Sequence, residues 1–178
     1  MVEAQWTKAE RHMISGQDND KLRRLINEFH DESDRGCAVI TICVLEEKLL
    51  ELLEARVPKC SASELRNLAP LGRLSLSVDN AYLVGVLSER NRTEFKQLIK
   101  IRNMFAHKPL EGLSFLHHDI IHLCSKLILC DMVDELILED ARHRYVCSVV
   151  MLYLSLHHEL EELERITELP DRGFVFED

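Results

Sequence analysis

Glycine and proline are scarce in this chain, ten residues together out of 178. No segment shows the period-two alternation, or the Asn-Gly and Asp-Gly pairs, from which hairpins are built. Sheet architectures are thereby excluded and an all-α protein is expected. CxxC pairs are absent too: the six cysteines stand at 37, 43, 60, 124, 130 and 147, a scatter that reads as reduced, small core residues of a cytoplasmic protein. The longest apolar run, YVCSVVMLYLSL, has about a dozen residues against the roughly 20 of a membrane span. The opening MVEAQWTKAERHM mixes charge with apolarity and does not resemble a secretory leader. GxSxG, GxxxxGK[ST] and GxGxxG are all missing, so a hydrolase elbow and a phosphate-cradling loop are set aside and no cofactor is expected.

What is present is a chain 46% hydrophobic with a net charge of −9. Its length suits one well-buried core, so residues 1–178 are expected to form a single helical domain. The charge is unevenly placed: from Asp131 onward there are 13 acidic and 4 basic residues, leaving 18 of each before it. A phosphate backbone is attracted by Lys and Arg and repelled by such an acidic third, so direct duplex DNA binding is not expected.

Helical periodicity predicts six or seven helices joined by short loops, the arrangement of a helical bundle. NDKLRRLINEFH carries one apolar face. DESDRGCAVITICVLEEKLLELLEARV is apolar almost all round at first, as befits the middle of a bundle, and stops at Pro58. A single turn is expected over SELRNL, then helices over about 74–87 and about 88–107, the second stopped by Pro109. A helix is expected over HDIIHLCSKLILCDMVDEL, and a long acidic one over about 139–168. SVVMLYLSL serves a homodimer as readily as a core.

One stretch, KIRNMFAHKP, sets an arginine, an asparagine and a histidine into an ordinary amphipathic helix. On a wheel of about 100° per residue, Arg102 falls among Phe95, Leu98, Ile99, Phe105 and Ala106. A guanidinium there stays charged and needs a carboxylate. Asp34, in register with Ala38, Thr41 and Leu45, and Glu32, near Gly36, are the available acids. The expectation is a buried polar pair of Arg102 with Asp34 or Glu32.

Beside that face lie Arg92, Lys96, Lys100, Asn103 and His107, in a segment with six basic residues and one acidic. This is a solvated face or, on the sharper reading, an anion or RNA-phosphate site. Asn103 and His107 stand four residues apart and read as a polar pair fastening the helix end to the next loop. Arg102 and His107 also suggest acid/base chemistry, but an offset of five residues sets them about 140° apart. His118 and His122 have zinc-helix spacing without the glutamate of HExxH, and Cys124 faces elsewhere, so no metal site is expected.

Three blocks together, ESDRGCAVITICVLEEKLLELL, PLGRLSLSVDNAYLVGVL and LIKIRNMFAH, resemble the mannitol operon repressor family in order and spacing, nearest its shorter paralogues, over about residues 30–130. The resemblance implies an all-helical cytoplasmic transcriptional regulator of repressor type, not an enzyme. No groove-reading turn is visible, since the helices flanking DESDRG are joined by what reads as a capping box and the second is too apolar for a major groove. Repression would then pass through an unidentified protein partner docking near HHELEELERITE. RNMFAH separately resembles the Arg, polar, His pattern of HEPN-type ribonucleases, which implies RNA-cleaving roles for Arg102, Asn103 and His107.

Overall fold

Ser33 is where the chain first commits to its central helix: its hydroxyl accepts the Gly36 N–H at 3.0 Å, satisfying one of the amides a helix start leaves open. The computed structural model describes residues 19–107, 112–132 and 140–166. Those residues hold seven α-helices, α1 (Asn19–Asp31), α2 (Asp34–Arg56), α3 (Ala62–Leu68), α4 (Leu74–Leu83), α5 (Glu89–His107), α6 (His118–Cys124) and α7 (Ala141–Glu162), with one 3₁₀ turn at Cys130–Met132. The protein is an all-α helical bundle. None of these helices is long and apolar enough to cross a membrane.

α2 is the hub and packs chiefly on α7 and α5. Its inward stripe, including Cys37, Thr41, Ile42, Leu45, Leu49 and Leu52, recurs every three to four residues, so a continuous apolar seam faces its neighbours. Its first part, apolar almost all round, is enclosed except at exposed Cys43 and the half-buried Val39, Ile40 and Val44. The amphipathic remainder exposes Glu47, Leu50, Glu51 and Glu54, and that open side is acidic. Between α2 and α7 the Tyr145 hydroxyl shares a 2.8 Å hydrogen bond with Thr41 and donates to the Ala38 carbonyl at 3.1 Å, so a fully buried phenol is satisfied.

Several boundaries depart from the periodicity, each for a local reason. α4 stops at Leu83, four residues short of expectation. Gly85 takes a left-handed φ of 76°, the Val86 N–H reaches the Ala81 carbonyl and the Gly85 N–H the Tyr82 carbonyl. That paired closure of a helix end needs a residue indifferent to positive φ, which glycine is. SELRNL forms two turns instead of one, begun by Ser61 and Glu64 capping each other; this reciprocal box stands here, whereas the start of α2 has glycine at the corresponding place.

The helix expected over residues 118–136 ends at Cys124. The fully buried Glu94 carboxylate of α5 accepts the N–H groups of Ile128 and Leu129 at 2.9 and 3.2 Å, and Arg144 of α7 donates to the carbonyls of Cys124 and Leu127. Side chains from two neighbouring helices thus take the backbone bonds that further helix would have made. α7 begins at Asp140, whose carboxylate caps the His143 N–H at 2.8 Å, and ends at Glu162 instead of continuing to Thr167. Leu163 turns extended, and the residues after it are tied to the end of α2: Arg56 donates to the Glu164 carbonyl at 2.7 Å, and the Ile166 N–H reaches the Arg56 carbonyl at 2.8 Å.

Candidate functional site

Asp34 lies half-buried in the first turn of α2, and its carboxylate is fully used. One oxygen meets Arg142 of α7 and the other accepts the Phe115 N–H at 2.8 Å. The same guanidinium donates to the carbonyls of Phe29, His30 and Glu32, closing the C-terminal end of α1. A fork of fixed N–H directions suits such a set: one carboxylate and three carbonyls pointing at one place. The Phe115 ring, held by its own N–H on Asp34, packs between Phe105 and Tyr145 with centroids 5.1 and 5.2 Å away. α1, α2, α5, α7 and the loop at 112–117 therefore meet at one ion pair.

Arg102 is not the arginine of that pair. It is half-buried, and its Nη1 donates to Oδ1 of neighbouring Asn103 at 3.1 Å. Polar type misled the wheel. Asn91, Glu94 and Gln97 are buried, each with a partner: Asn91 on Ser155, Gln97 on the Leu123 carbonyl, Glu94 on the two amides named above. Counting them and Ile101 as inward swings the middle of the buried face about 45° away from Arg102. In the last turn Ala106 and His107 are exposed. Glu32 does not meet Arg102 either. Its carboxylate lies over the start of α2, where a Cβ on Gly36 would come within 2.1 Å of Oε2.

The basic flank of α5 divides in two. Arg92 and Lys96 converge on Asp79 of α4, with Nη2 at 2.7 Å and Nζ at 2.6 Å from the same oxygen, and Arg92 also reaches Glu89 at 3.1 Å. The Arg92 guanidinium lies 4.6 Å from the centre of the Tyr82 ring. The hydrogen bond from Lys96, reinforced by Arg92, holds the Asp79 carboxyl below its usual range. These two cations are committed to fastening α5 to α4. Lys100, Arg102, Asn103 and His107 occupy the last two turns of α5, where Lys100 and His107 are exposed and Asn103 is half-buried against Arg102. Asn103 thus meets Arg102 and not His107. The loop that this pair was expected to hold includes residues 108–111, outside the described residues. α5 is regular through His107, so Arg102 and His107 point in different directions.

Two interior thiols, Cys37 and Cys124, are not prepared for nucleophilic work. Burial pushes the Cys37 thiol up to about 12 despite the nearby Arg142, and burial likewise takes Cys124 to about 12. A protonated thiol is a poor nucleophile. The Tyr145 phenol is raised by burial, opposed by its bond from Thr41. Of the histidines considered for zinc, His118 is gathered with His117 and Asp119, not with His122; their ligand atoms lie within 4.8 Å of one another. His117 Nδ1 already accepts the Asp119 N–H at 3.3 Å, and the His118 side chain is 85% exposed.

Arg142 is the site residue that composition hid, because it sits in the acidic third of the chain. It shares a helical stripe with Tyr145, Val146 and Val149, all buried. A cation on an apolar stripe is the same signal that singled out Arg102. Compared with protein-family models, curated proteins and solved structures, the chain matches none.

Proposed function

We propose that this protein is a repressor-type transcriptional regulator of the mannitol operon repressor kind, cytoplasmic, acting through contact with a protein partner and not by reading DNA itself. The observation that supports this most is the placement of α2. It is the helix after DESDRG, the position a recognition helix would take, and its inward side is committed to α5 and α7 while its open side bears Glu47, Glu51 and Glu54. A major groove lined by phosphates repels such a face. The two cations committed to Asp79 are withdrawn from the basic stripe of α5 that a backbone would attract.

The docking surface in this reading is the acidic end of α7, where Glu161, Glu162 and Glu164 are exposed; the remainder of HHELEELERITE, from Thr167, lies outside the described residues. Surface charges of one sign steer and select a basic partner. Two measurements test it together. A gel shift of duplex operator fragments at moderate salt should show no complex. Charge reversal in Glu161→Lys with Glu162→Lys should abolish co-purification of the partner from cells while the far-ultraviolet circular dichroism stays unchanged. A duplex shift, or a partner retained by the charge-reversed chain, contradicts the reading.

A second reading has one observation in its favour. Because Asp34 is satisfied by Arg142, Arg102 is not locked into that pair and stands with Asn103 on the helix that exposes His107. An arginine and an imidazole are the groups an RNA-cleaving site of HEPN type requires. Against it stands their separation around a regular helix.

A further inference from the structure

A groove of about 630 Å³ runs between the end of α2 and α3. Its apolar floor is made by Leu50, Leu65, Ala69 and Leu71, and Leu71 is 82% exposed. Three cations, Lys59, Arg66 and Arg165, stand along it against one acid, Glu54. Such apolar exposure with a charged rim marks a surface that takes up an extended, amphipathic segment.

The described chain itself ends on this groove. Arg165, one of the lining residues, donates to the Val57 carbonyl at 3.0 Å, and Ile166 is bonded to Arg56. The twelve residues that follow, TELPDRGFVFED, contain Leu169, Phe174, Val175 and Phe176 together with four acids and one base. The segment is thus apolar and acidic where the groove is apolar and basic. Twelve extended residues reach about 40 Å, ample to cross the groove. A segment tethered at the rim is present there at an effective concentration on the order of millimolar, so even a weak intrinsic contact is largely formed.

We propose that residues 167–178 dock in this groove of their own chain, with the Phe174 and Phe176 side chains on the Leu50, Leu65 and Leu71 floor and the acidic residues toward Lys59 and Arg66. Bound there, the segment covers the exposed leucine and shields Cys60, which lines the same groove.

Cys60 supplies the test, with exposed Cys43 of α2, which does not line the groove, as an internal reference. The full chain and its Phe174→Ser, Phe176→Ser double variant are treated with N-ethylmaleimide, and labelling at each cysteine is followed by mass spectrometry. The variant should label Cys60 roughly tenfold faster, in line with the open fraction of a tethered contact, with Cys43 unchanged. Equal Cys60 rates in the two chains overturn the proposal. Protection that vanishes on dilution also overturns it, because the occupant is then a second copy of the chain.

Discussion

A carboxylate that ends in the first turn of a buried helix must be met by a cation or by amides, and Asp34 is met by both. Arg142 supplies the cation, so Arg142→Met strands a half-buried carboxylate and three carbonyls and should cost roughly 2–4 kcal/mol of unfolding free energy, whereas Arg102→Met should cost under about 1. A double-mutant cycle with Asp34→Asn sharpens this: coupling above about 1 kcal/mol to Arg142 and near zero to Arg102. The reverse pattern would place the pair where the wheel first put it. The need of Asp34 for a partner was legible from its register with Ala38, Thr41 and Leu45, but which arginine answers depends on how α7 crosses α2, which no local spacing encodes. The buried thiols add a pH dependence. Above about pH 9 the unfolded chain loses thiol protons that Cys37 and Cys124 keep until about 12. The unfolded state then binds fewer protons, so stability falls as pH rises from 9 to 12, by up to about 4 kcal/mol per thiol. Urea unfolding of the parent and of Cys124→Ala at about pH 8 and about pH 10.5 checks this: the stability gap between them should narrow at the higher pH. A gap that stays constant means the thiol is not shielded.

Helix positions were readable wherever the apolar period was uninterrupted: α1, α2 and α5 lie within a few residues of where Leu, Ile and Phe spacing puts them. The misplaced ends are those set by long-range partners. α6 stops because a carboxylate 34 residues earlier in sequence takes the Ile128 amide, and α7 stops because Arg56 binds residues 164 and 166. Glu94→Ala tests the first: one buried and one part-buried amide lose their acceptor, at a cost of roughly 2–4 kcal/mol, and hydrogen exchange at Ile128 and Leu129 should accelerate before that of α2. Uniform exchange across the chain would mean that Glu94 merely fills space. Gly85 was visible as a turn residue but not as the reason α4 ends; Gly85→Ala should lower stability by about 1 kcal/mol, since a Cβ there meets positive φ and not a steric neighbour.

At the scale of the whole molecule, charge separates the two functions that remain in play. Apart from the acidic open side of α2 and the acidic end of α7 stands a short cationic group, Lys100 and Arg102 with His107, at the end of α5. A nuclease needs that group to converge on a phosphate, and a contact-mediated regulator does not. The resemblance in three sequence blocks suggested the regulator, and the same blocks map onto α2, α4 and α5, helices that carry much of the core. The direct measurement is incubation of the purified chain with end-labelled single-stranded RNA, beside Arg102→Ala and His107→Ala. Intact RNA in all three is the predicted result; cleavage by the parent that disappears in both variants would contradict it.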